Sequence, residues 1–222
     1  KIALGINPSS TLSITEKAGI LRKEGKNVIS FSVGEPDFDT PEHIKKAAVD
    51  AINEGFTKYT AAAGIIELRQ AVAKKLKDDN GLDYDYTQIV ISNGAKHSLT
   101  NALMAVLNPG DEVIIPAPYW LSYAEMVRLA GGTPVVVYTK QEEDFALTRE
   151  VLESGYSDKT KAVIITTPSN PTGMVMTEKQ LREIADFAVE KDIIVIADEI
   201  YEKLIYSDDK KHVSIASFGK EI

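Results

Sequence analysis

The sequence predicts an α/β fold, a three-layer sandwich around a mostly parallel sheet, on three observations. Five short runs rich in Val and Ile recur along the chain: 88–92 (QIVIS), 112–116 (EVIIP), 134–138 (PVVVY), 162–166 (AVIIT) and 193–197 (IIVIA). They lack polar alternation, the pattern of strands covered on both faces. Helical patterns lie between them, and strands alternating with helices form a parallel sheet through right-handed crossovers.

Taken in order, residues 1–39 differ from the rest. They hold loop signals, Asn7-Pro8-Ser9-Ser10 and Gly34-Glu35-Pro36-Asp37, around one strand-like run at 28–33, and read as an arm and the start of a small second domain. From residue 40 to 222 the alternation is regular and reads as one large domain. Thr40 can cap a helix that Pro41 opens, with Ile44, Ala47, Ala48 and Ala51 on one stripe. Ile65, Leu68, Val72 and Leu76 line a second helix that stops before Gly81. Leu99, Ala102, Leu103 and Val106 line a third, ended by Asn108-Pro109-Gly110. Thr177 and Gln180 form a capping box ahead of Leu181, Ile184, Ala185 and Ala188.

Composition narrows the chemistry. The 222 residues carry 25 basic and 33 acidic side chains, a balance of −8, which disfavours phosphate-neutralising contact with nucleic acid. No apolar run approaches the roughly 18–20 residues of a membrane span, and Lys1 to Ser10 hold no apolar signal-peptide core. With no cysteine and only three scattered histidines, neither thiol nor metal chemistry is indicated. A soluble, cytoplasmic domain is expected.

In open α/β sheets ligands sit beyond the carboxyl ends of the strands, and the residues there are specific. Asn93-Gly94-Ala95-Lys96 follows the first run, Ala117-Pro118-Tyr119-Trp120 the second, Ser169-Asn170-Pro171-Thr172-Gly173 the fourth and Asp198-Glu199-Ile200-Tyr201 the last. Small residues opening a helix present free N–H groups to an anion, although Gly94 could equally serve a simple turn. Trp120 offers a stacking surface or a core side chain. Asp198 ends an apolar strand and needs donors or a cation, such as a protonated ring nitrogen; capping of the next segment is the competing role. Asn170 and Tyr201 can hold a ligand oxygen or serve as turn and edge residues. Together these ends describe a pocket for a flat, polar, phosphorylated ring.

The constellation resembles the class I aminotransferases, pyridoxal-phosphate enzymes of fold type I, and most closely their bacterial aspartate aminotransferase branch. The matching strings are SVGEPDFDTPEHI (32–44), TKYTAAAG (57–64), SNGAKHSL (92–99), NPGDEVIIPAPYW (108–120), SNPTG (169–173) and ADEIYEKLIY (197–206). The resemblance implies pyridoxal 5'-phosphate as cofactor, held by Gly94, Ala95 and Lys96 at the phosphate, Trp120 on the ring face, Asp198 at the ring nitrogen, and Asn170 and Tyr201 at the phenolic oxygen. It implies that Tyr59 reaches the cofactor phosphate of the neighbouring subunit in a homodimer. Gly34, Lys96, Trp120 and Asn170 then line the substrate, Lys96 recognising an acidic side chain. Amino acid and 2-oxo acid are the implied partners.

The resemblance also implies a Schiff-base lysine on the next strand end after Asp198, and two carboxylate-binding arginines further on. After ADEIYEKLIY the sequence runs SDDKKHVSIASFGKEI, and Lys220 lacks the family's Ser-Lys context and reads as a surface lysine. The segment is therefore expected to be catalytically inert alone and incomplete at its C-terminal side. In the family fold the following strands lie between the first large-domain strand and the others, so 88–92 should lack sheet partners here. Alternatives are another fold-type-I lyase or synthase, and a non-catalytic binding module that keeps the cradle.

Overall fold

A computed structural model describes residues 5–7, 10–32 and 34–222. The chain divides into two compact units, Pro8–Ala62 on one side and Lys1–Asn7 with Ala63–Ile222 on the other.

The smaller unit holds helices α1 (Ser10–Lys23) and α2 (Glu42–Asn53). Helix α1 lies in the segment the sequence reads as loop and arm, a correction with a plain cause. Among its described residues Leu12, Ile14 and Ile20 are exposed and only Ala18 is buried, so little of it is held by burial. The strand-like run at 28–33 is a second correction. Residues 28–32 form no strand, Ile29 and Phe31 are exposed, and Val33 lies outside the described residues. An extended segment becomes a strand only when a neighbour takes up its backbone groups. Helix α2 starts at Glu42 with Pro41, rather than Thr40, at its N-cap, and buries none of its stripe.

The larger unit contains α3 (Ile66–Asn80), α4 (Ala95–Val106), β1 (Glu112–Ala117), α5 (Ser122–Leu129), β2 (Thr133–Tyr138), α6 (Arg149–Gly155), β3 (Thr160–Thr166), α7 (Glu178–Lys191) and β4 (Ile194–Asp198). The strands pair in parallel in the order β2-β1-β3-β4. Side chains alternate across the sheet with a period of two. Ile114, Val163 and Ile165 join Leu152, Leu181, Ile184 and Phe187 of α6 and α7 in one core. Val113, Ile115, Ala162 and Ile164 join Leu99, Leu103, Tyr123 and Val127 of α4 and α5 in the other. The sheet is the middle of three layers, as expected.

Four of the five apolar runs are strands. The exception is 88–92, where Gln88 ends a 3-10 turn (Tyr86–Gln88) and 89–92 stay unpaired in the sheet. Its backbone bond to another segment runs from the Ile91 N–H to the Ala63 carbonyl at 2.9 Å, and Val90 is exposed. Strand β4 has β3 on one side and no further strand among the described residues, and its Ile194 and Ala197 are exposed.

Candidate functional site

The carboxyl ends of β1, β3 and β4 and the start of α4 carry the polar residues of the larger unit. Strands β3 and β4 run in register to their tips, where Thr166 is the partner of Asp198. Asp198 is 7% exposed. Its Oδ2 accepts a hydrogen bond from the Tyr123 hydroxyl at 2.8 Å, and its Oδ1 accepts from the Ile200 N–H at 3.2 Å. Among the described residues no Lys, Arg or His forms an ion pair with it. The expected need of a buried carboxylate for donors is thus met by neutral groups, and the Ile200 contact gives Asp198 its expected capping part as well.

Tyr123 links the site. Its hydroxyl also lies 2.6 Å from Thr166 Oγ1, and its ring meets the Trp120 ring edge-on, with centroids 5.4 Å apart. Burial is the main force that pushes the Tyr123 phenol above its ordinary value; Thr166 works against that shift, and Asp198 and Tyr201 add to it. The phenol therefore stays neutral and donates. Trp120 is half-buried against the α4–α5 core, so it serves the core and still presents a face. Lys96 lies over that indole, its Nζ 4.9 Å from the ring centroid, while its own stem is exposed.

At the start of α4, Gly94 is the N-cap with φ +83°, a left-handed conformation that suits glycine. The His97 and Ser98 N–H groups turn back to the Gly94 carbonyl, whereas those of Ala95 and Lys96 meet no acceptor among the described residues. This is the arrangement of an anion-binding helix start. The 169–173 loop is closed by the Gly173 N–H to the Ser169 carbonyl at 2.8 Å and by the Ser169 N–H to the Met174 carbonyl at 2.9 Å. The peptide bonds Thr167-Pro168 and Asn170-Pro171 are cis.

A cleft opens between these ends, walled by Pro118, Tyr119, Tyr123, Thr166, Asn170 and Thr172. Asn170 and Tyr123 are thereby brought to one place, and Tyr123 carries the contact on to Asp198 and Trp120. Trp120, Asp198 and residues 94–96 do not wall this cleft; they gather beside it. Tyr201 is half-buried in the segment after β4. Gly34 and Tyr59 belong to the smaller unit and are exposed there, Tyr59 fully. Lys220 is exposed.

Sequence reasoning passed over Tyr123 and Thr166. The signal for Tyr123 was its place three residues after Trp120; Thr166 was read only as the last residue of its run. Among the described residues no group of His, Cys, Asp and Glu side chains is placed to hold a metal ion, and no helix is long and apolar enough to cross a membrane.

A sequence model of the family described as aminotransferase class I and II matches residues 26–222. An aspartate aminotransferase of Bacillus sp. (strain YM-2) is 48% identical over 217 residues, which cover 98% of this chain and 55% of that protein. A protein of Aquifex aeolicus, named as a probable aspartate/prephenate aminotransferase, is 49% identical over the same shares of each chain. Among solved structures, the aspartate aminotransferase from Thermus thermophilus with maleate superposes with a TM-score of 0.93 at 43% identity, covering 96% of this chain and 56% of that one. The chain thus spans about half the length of the curated relatives it matches.

Proposed function

This chain belongs to the class I and II aminotransferases, and from that premise we propose that it forms the cofactor-binding portion of an enzyme that moves an amino group from aspartate, or a similar acidic amino acid, to a 2-oxo acid. The observation that carries the reading is Asp198: a buried carboxylate at a strand tip, held by two neutral donors and, among the described residues, by no cation. Such a group favours a protonated ring nitrogen, and a charge-assisted hydrogen bond of that kind contributes about 1.5–3 kcal/mol.

The remaining residues fit pyridoxal 5'-phosphate by the chemistry of their donors. The free N–H groups of Ala95 and Lys96, behind Gly94, suit its phosphate. Trp120 suits the ring face, and Asn170 and Tyr201 the phenolic oxygen. When bound, the cofactor supplies an electron sink that makes the substrate's α-proton removable. Asp198 holds the ring-nitrogen proton, Trp120 excludes water from one face, and Lys96 receives the acidic end of the substrate. Gly34 lines the substrate carboxylate, and Tyr59, fully exposed here, reaches the cofactor phosphate of a second subunit in a homodimer. The Schiff-base lysine comes from outside these 222 residues, so the segment alone is inert. The residues at 1–39 serve as arm and small-domain start, those at 40–222 as the large domain, in a cytoplasmic enzyme. Relatives named for aspartate, one of them also for prephenate, support the acidic amino donor.

The test is an assay of the whole protein carrying this chain, with aspartate, a 2-oxo acid and pyridoxal phosphate. Formation of the amino acid matching the 2-oxo acid supports the reading. Release of ammonia from aspartate without that product assigns the site to a lyase and overturns it.

A further inference from the structure

We propose that Tyr123 is a positioning residue for Asp198, fixing the orientation of the carboxylate and aiming it at the cofactor's ring nitrogen. The inference rests on the cofactor reading above. Tyr123 sits on α5, outside the sheet, yet its hydroxyl reaches the tips of two adjacent strands, 2.6 Å from Thr166 Oγ1 on β3 and 2.8 Å from Asp198 Oδ2 on β4. A phenol has one proton to give, and a carboxylate can only accept. The Tyr123 proton therefore goes to Asp198, and Thr166 must donate its own to the phenol oxygen. The result is a directed chain, Thr166 to Tyr123 to Asp198.

That chain has consequences a packing aromatic would not have. With the Ile200 N–H on Oδ1 at 3.2 Å, both carboxylate oxygens are tethered and the plane of the group is set. Two of its roughly four lone-pair positions are then taken, leaving the others for a ligand. The same ring braces Trp120 edge-on, so one side chain holds both the plate for the ring face and the acceptor for the ring nitrogen. Tyr123 is 2% exposed, so its hydroxyl bonds to protein groups.

Tyr123→Phe keeps the ring and its contact with Trp120 and removes only the donor. In the whole protein carrying this chain, affinity for pyridoxal phosphate should fall about ten- to a hundredfold, the range for a hydrogen bond to a charged group. Thr166→Val should lower the affinity by less, and Thr166→Ser, which keeps a hydroxyl, should restore it. These serve as the test if Tyr123→Phe fails to fold. A variant that loses thermal stability but keeps cofactor affinity makes Tyr123 a packing residue and overturns the proposal. An unaltered protein that shows no cofactor absorbance overturns the cofactor reading instead.

Discussion

Gly64 precedes α3 with φ +100°, and a Cβ built there would sit 2.5 Å from Ile91 Cγ1 and 2.7 Å from its Cβ. The neighbouring Ala63 carbonyl accepts the Ile91 N–H, so the close approach is what ties 88–92 to the body of the larger unit. Gly64→Ala meets both a left-handed backbone and a crowded side chain, and should destabilise the fold by about 1–3 kcal/mol. A denaturant midpoint that does not move would contradict this. At the same scale, the site was legible where polarity interrupts an apolar run. Asp198 stands out in the sequence as a carboxylate closing an apolar strand, and Trp120 as the tryptophan at a strand tip, each with a structural role open beside the functional one. Tyr123 did not stand out, since its partner Asp198 is 75 residues away and an aromatic on a helix reads as core.

Helices were legible when long enough to show a stripe or a cap. The box before α7 is formed as its spelling suggests, with the Thr177 N–H donating to Gln180 Oε1 at 2.8 Å and the Gln180 N–H to Thr177 Oγ1 at 3.3 Å. Helices α5 and α6, of eight and seven residues, are too short for a periodic pattern to declare itself. One link between elements could not be read at all: α3 is tied to the segment after β4, with Lys75 and Asn80 both reaching Glu202, and Lys203 pairing with Asp79 at 2.8 Å. Partial burial pushes the Glu202 carboxyl upward, but the hydrogen bonds from Lys75 and Asn80 and the charge of Lys75 outweigh it and hold the group below its ordinary value. A depressed carboxyl stabilises the fold above the unfolded value of about 4.3 and loses that contribution as pH falls through the folded value. Glu202→Gln should therefore lower stability at neutral pH and flatten the acid loss. Denaturant midpoints taken from neutral to acid pH read this directly, and parallel acid limbs in the two proteins would refute it.

Across the whole molecule, the alternation of runs and stripes gave the three layers and the parallel order of the sheet, because every strand but 88–92 finds a neighbour within the chain. That run carries the strand pattern without forming a strand, since pairing depends on a partner that local pattern cannot provide. The relatives this chain matches are nearly twice as long. The candidate site draws its residues from the ends of separate strands and the start of a helix, which the parallel sheet brings near one another. Pyridoxal phosphate titrated into the whole protein carrying this chain, beside its Asp198→Ala variant and followed by cofactor absorbance, tests that claim most directly. The account predicts saturable binding that weakens about ten- to a hundredfold in the variant; equal binding by both proteins, or by neither, would contradict it.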